Sequence, residues 1–193
     1  MSNRHKDAPR CERCHLLVQG CVCALVPKLH TQTRLLVILH AAEAKKPTNT
    51  GRLAALCTDN SQVLVRGLAQ APLDLGFLAG QNALVLCPDE TATIVQPVPF
   101  PVTLIVPDGS WRQASKMPRR EPLLRDLPRV RLPPVSARAP LLRRESKDNG
   151  LATFVAIAYA LGLLEGPAIQ EALLAFYDVL ADRIVRARQG YVC

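Results

Sequence analysis

Residues 102–114 constrain the fold most. Val102-Thr103-Leu104-Ile105-Val106 is almost wholly apolar and mostly β-branched, the make-up of a buried strand. Pro107 and Gly109 follow and are read as breaking it. Arg112 to Met117 are then adequate helix formers. A strand that turns directly into a helix presents its junction residues, here Asp108, Ser110 and Trp111, at the carboxyl end of a sheet. In open α/β sheets that end is where ligands bind.

The rest of the chain supplies more of the same. Leu35–Leu39, Val63–Val65, Ala83–Cys87 and Val130–Leu132 are short apolar runs without clean alternation, as expected of strands covered on both faces. Connections of about 15–20 residues separate several of them, which suits parallel pairing. A polar loop after His40 enters a helix over Leu53–Cys57, with Asn49 or Thr50 as N-cap. His40 and Glu43 are read as hydrogen-bonded loop residues. Residues 67–80 form a loop or short helix, and the Pro-rich 97–101 leads into the central strand. Leu151–Leu164 carries one apolar helical face. Gly166-Pro167 starts a last helix that Gly190 ends, with Arg183, Arg186 and Arg188 suiting its C-terminal dipole. The fold class is therefore α/β, a mostly parallel sheet with helices on both faces. Aromatic residues are only 4% against 49% hydrophobic, so Leu, Val, Ala and Ile must fill the core.

A small N-terminal element, residues 1–30, precedes the main domain at 31–193. It carries Cys11, Cys14, Cys21 and Cys23, spaced C-x2-C-x6-C-x-C. Four thiolates this close can wrap one tetrahedral ion, and four-cysteine sites are the usual structural zinc sites. His15 is a possible substitute ligand. Unliganded reduced cysteines are the simpler reading, and nothing in the spacing favours an iron–sulfur cluster. A closed four-ligand site has no open position, so zinc here is expected to be structural. Cys57 and Cys87 lie in apolar surroundings and read as inert core thiols.

Net charge is +8. Arg119, Arg120, Arg125, Arg129, Arg131, Arg138, Arg143 and Arg144 crowd one segment, opposed there by Glu121, Asp126 and Glu145. A solvated basic loop is the bland reading. The sharper one is a surface that tracks phosphates, since arginine offers them a planar fork of donors. No apolar run approaches the roughly 18 residues of a membrane span, and Met1 to Arg10 has no apolar stretch of a secretory signal. The expected location is cytoplasmic, where cysteines stay reduced or bind metal. No Walker loop or dinucleotide fingerprint is present, and nothing points to an obligate protein partner.

Asp108-Gly109-Ser110-Trp111-Arg112-Gln113-Ala114 resembles the D-x-T-W-x-x-A signature of DTW-domain proteins, which are similar to the SPOUT class of RNA-modifying enzymes. The resemblance extends over the four-cysteine N-terminus, His40 and Glu43, Thr48-Asn49-Thr50-Gly51, Pro88 and Leu151-Ala152-Thr153. It implies a tRNA-uridine aminocarboxypropyltransferase, moving the 3-amino-3-carboxypropyl group of S-adenosylmethionine to uridine N3. It also implies a deep trefoil knot near the C-terminus. Cofactor loops would fall at Leu86–Glu90, Asp108–Trp111 and Leu132–Thr153, with Leu86, Pro88, Asp108, Leu132, Leu151 and Thr153 as candidate cofactor contacts. Two positions depart from the pattern: Ser110 replaces the family threonine but keeps a hydroxyl, and Val155 stands where relatives often carry glutamate.

The proposed chemistry assigns further roles. Uridine N3 must lose a proton, and Asp108 is the acid of the central loop. An ordinary carboxylate is too weak a base to remove that proton beforehand. Asp108 would take it as the bond forms, orient the nucleobase, or merely cap the helix near Trp111. Ser110 belongs to the same candidate catalytic loop. Trp111 could stack on uracil or anchor the helix. Arg112, Arg143 and Arg144 are candidate phosphate contacts, and Asn49 and Thr50 candidate RNA contacts. Two other functions compete: an RNA methyltransferase of the SPOUT class, and a non-catalytic zinc-containing RNA-binding protein.

Overall fold

The computed structural model describes residues 8–44, 46, 49–68, 73–135 and 151–189. Six strands form one sheet: β1 (Arg34–His40), β2 (Ser61–Arg66), β3 (Ala83–Leu86), β4 (Thr93–Ile94), β5 (Thr103–Asp108) and β6 (Arg129–Arg131). Their order is β2-β1-β5-β3-β6-β4, and every pairing is parallel. The helices are α1 (Ala41–Ala44), α2 (Thr50–Ala55), α3 (Trp111–Arg120), α4 (Pro122–Arg125), α5 (Thr153–Glu165) and α6 (Pro167–Gln189). None of them is long and apolar enough to cross a membrane, among the described residues.

The period of two along each strand sorts the core into two layers. Leu35, Val37, Leu104, Val106, Leu84, Leu86 and Val130 face one side and pack with α2, α5 and α6. Leu36, Ile38, Ile105, Ala83 and Val85 face the other and pack with Met117 of α3 and Leu124 of α4. Helices thus cover both faces. The N-terminal segment joins the first layer through Cys14, Leu16 and Val22. In the same layer the Phe154 ring lies 5.3 Å from Tyr177 and 6.1 Å from Phe176, which fixes α5 against α6.

One local reading is corrected. Pro107 does not end the central strand, because β5 continues through Asp108 and pairs with β1 up to Leu39. The Thr103 N–H donates to Asn82 on the β3 side. Alternation then aims position 107 at β3 as well. The ladder with β3 ends at the Val85–Ile105 pair, so the missing N–H of Pro107 leaves no ladder bond unmade.

The same alternation sets the site. Asp108 shares the parity of Leu104 and Val106, so its side chain goes toward α2 and α5. His40 and Arg66, at the ends of β1 and β2, share the parity of Ile38 and Leu64 and go toward α3. The expected knot and most of the third cofactor loop run through 136–150, outside the described residues. Thr48, Arg138, Arg143, Arg144 and Gly190 lie outside them too.

Candidate functional site

At the carboxyl end of the sheet the Asp108 side chain is buried, with 4% of the residue exposed. Its Oδ2 accepts a hydrogen bond from Asn49 Nδ2 at 2.6 Å, and its Oδ1 accepts one from Thr153 Oγ1 at 2.7 Å. Asn49 is itself the N-cap of α2, its Oδ1 accepting from Arg52 N at 3.0 Å. Thr50 Oγ1 accepts from the Phe154 backbone N–H at 3.4 Å, tying α2 to α5 a second time. Gly51 leaves room for the carboxylate: a Cβ there would lie 2.4 Å from Asp108 Oδ2. One buried acid therefore fastens together the loop after β1, the end of β5 and the start of α5. Charge-assisted bonds of this kind are about twice as strong as neutral ones.

Asp108 does not cap α3. Ser110 is the N-cap, and Gln113 Oε1 accepts from both the Ser110 N–H and its Oγ, each at 2.8 Å. That fixes the amide, so Gln113 Nε2 faces His40 Nδ1 at 3.2 Å. The Ala42 N–H donates to the same Nδ1 at 3.1 Å. Nδ1 is thus an acceptor, and the ring proton sits on Nε2. Trp111 opens α3 half-buried and belongs to neither core layer. Beside it, His40, Arg66, Arg112, Lys116 and Arg120 line a cavity of about 230 Å3 floored by Met117.

The four N-terminal cysteine sulfurs lie within 4.8 Å of one another. The Sγ atoms of Cys11 and Cys23 are 3.6 Å apart, and those of Cys14 and Cys21 are 3.7 Å apart. A tetrahedral ion with Zn–S bonds of about 2.3 Å requires sulfurs about 3.8 Å apart, so the cluster fits zinc. Backbone hydrogen bonds from Cys14 and Arg13 pull the Cys11 thiol down to about 6. Burial pushes Cys14 and Cys23 up. Arg52 links this cluster to the Asp108 site: its guanidinium donates to Arg13 O at 2.9 Å and Cys14 O at 3.0 Å, while its backbone N–H is the one Asn49 caps. Cys57 and Cys87 are buried, and burial raises both thiols, Cys57 to about 12.

A family model described as the DTW domain matches residues 8–185, which include the cysteine cluster, Asp108 and Thr153. The chain belongs to the DTW-domain family. Its relatives include tRNA-uridine aminocarboxypropyltransferase 2 of Macaca fascicularis, 30% identical over 182 residues that cover 88% of this chain and 61% of the relative. The mouse protein of that name is 29% identical over 86% of this chain and 60% of its own length. The Drosophila melanogaster one is 25% identical over 86% and 70%. This DTW-domain chain spans about three fifths of the length of the two mammalian relatives. No solved structure matches it.

Within this DTW-domain chain the candidate residues fall into distinct places. Leu86, Asp108 and Leu132 stand at or just past the carboxyl ends of the adjacent strands β3, β5 and β6. Leu86 is buried, while Leu132 and Leu151 are half-buried against the same core layer. Pro88 is exposed just past β3. Asn49 and Thr50, read as RNA contacts, are buried and engaged inside the protein. Thr153, read as a cofactor contact, bonds Asp108. Arg112 is exposed on α3. Sequence reasoning missed Arg66, Lys116 and the Gln113–His40 link, and counted Arg120 only as part of the basic segment. The spacing of Arg112, Lys116 and Arg120, four residues apart on one helix, was the available signal.

Proposed function

We propose that the protein transfers the 3-amino-3-carboxypropyl group of S-adenosylmethionine to N3 of a uridine in tRNA, with zinc as a structural ion in the cysteine cluster. The observation that carries this reading is the DTW-domain match across the whole Asp108 site, together with relatives named for that activity. The donor supplies a sulfonium-activated carbon. The N3–C bond forms as the S–C bond breaks, methylthioadenosine leaves, and the N3 proton goes to solvent or a nearby acceptor.

The chain's own residues mainly position. Asp108 fixes the loop before α2 and the first turn of α5 around the carboxyl ends of β3, β5 and β6. A donor that can react at three carbons is steered by how its arm is folded, so placement contributes most of the catalysis. Trp111, half-buried at the start of α3 three residues past Asp108, is assigned to stack on the uracil ring. In this reading Asp108 is a positioning residue, since both its oxygens are committed to side-chain donors. Nucleoside mass spectrometry of tRNA incubated with protein and S-adenosylmethionine tests the product. A uridine carrying the aminocarboxypropyl group at N3 supports the reading, and a methylated or unchanged nucleoside contradicts it.

A further inference from the structure

We propose that the cavity between α3 and the carboxyl ends of β1 and β2 seats a backbone phosphodiester of the RNA strand whose base is presented on the Asp108 side of the sheet. This inference rests on the reading that tRNA is the substrate. Among the described residues, four cations line the cavity, and no carboxylate does. The Arg66 guanidinium is answered by Glu121, to which its Nε donates. Arg112, Lys116 and Arg120 form no ion pair with a carboxylate among the described residues. They stand four residues apart along α3, where like charges repel and weaken a helix. A bound anion removes that repulsion.

Two further observations suit a phosphate group. First, the His40 tautomer is set by the Ala42 N–H and the Gln113 amide at Nδ1, which leaves Nε2–H as the ring's one donor. Gln113 is held in turn by Ser110, two residues past Asp108. The cavity is thereby linked to the central loop. Second, the volume of about 230 Å3 is below the roughly 300 Å3 at which small-molecule sites begin. It is still several times the roughly 30 Å3 share of one water. A phosphate with some of its waters fits that space. The parity of the strands puts this cavity and Asp108 on opposite faces at one sheet edge, so a strand crossing that edge meets both.

The test measures tRNA affinity of the full-length protein across a salt series for wild type, Lys116→Gln, Arg120→Gln and, as a control outside the cavity, Lys28→Gln. Each cavity variant is expected to weaken binding about three- to tenfold and to reduce the slope of log affinity against log salt by about 1, the signature of one lost phosphate contact. Lys28→Gln should leave both unchanged. Cavity variants that bind like wild type, or a Lys28→Gln loss as large as theirs, would overturn the inference. Failure here is separable from failure of the proposed activity. Transfer with unchanged binding in the variants sinks the cavity alone, and weakened binding without transfer in wild type sinks the activity alone.

Discussion

Gly51 and Asp108 are in contact through the absence of a side chain: a methyl group on Gly51 would come 2.4 Å from Oδ2 and 2.9 Å from Cγ of a carboxylate held by two other donors. Helix propensity and packing therefore give opposite signs for Gly51→Ala. Propensity alone favours alanine in a helix by about 1 kcal/mol. Overpacking against a fixed carboxylate costs about 1–3 kcal/mol. The buried, bonded state of Asp108 makes packing win, so chemical denaturation should find the variant less stable. A more stable Gly51→Ala protein would mean that the carboxylate is free to move.

Asn49 serves two partners with one side chain, capping α2 and donating to Asp108. Its replacement by alanine loses a cap, typically about 1 kcal/mol, and a hydrogen bond to a buried charge, about 1.5–3 kcal/mol. Asn49→Ala is expected to lose about 2–4 kcal/mol of stability. Thr153→Ser keeps the hydroxyl that reaches Asp108 and should stay near wild type in both stability and turnover. Thr153→Val should lose both. Equal turnover in the serine and valine variants would remove the positioning role of this contact.

For Trp111 the stacking and anchoring roles separate cleanly. A mainly stacking role predicts that Trp111→Ala shifts the unfolding free energy by less than about 1 kcal/mol. Loss of a base-stacking surface worth about 1–3 kcal/mol should lower kcat/KM for tRNA roughly five- to 150-fold. A large stability loss with little kinetic change would make Trp111 an anchor.

Metal analysis of freshly purified protein should find about one zinc per chain. Chelation should lower the melting temperature. It should also lower turnover, because the cysteine loop holds Arg52, the Arg52 N–H is the one that Asn49 caps in the first turn of α2, and Asn49 holds Asp108. Arg52→Ala should reproduce the turnover loss while leaving the zinc content unchanged. Zinc-free protein with full stability would contradict the metal assignment.

Much of the frame was legible because it is local. Apolar runs marked β1, β2, β3, β5 and β6, and the polar loop offered Asn49 or Thr50 as a cap, of which Asn49 is the one used. What stayed hidden depends on partners far along the chain. Asp108 meets Asn49 and Thr153, 59 and 45 residues away, and no local pattern records such a pairing. β4 escaped because Thr93 and Ile94 are two exposed residues that only extend β6 at the sheet edge. Pro107 misled because its cost depends on which neighbour its nitrogen faces. The Arg112, Lys116 and Arg120 stripe was readable by spacing, but its meaning needed His40 and Arg66 opposite it.

The most direct measurement incubates bulk tRNA with the protein and S-adenosylmethionine labelled either in the methyl group or in the aminocarboxypropyl chain. Label is expected in tRNA only from the aminocarboxypropyl chain of the donor, and that label should be lost in Thr153→Val. Label from the methyl group would make the protein a methyltransferase, and no label from either donor would leave a metal-binding RNA binder without the proposed chemistry.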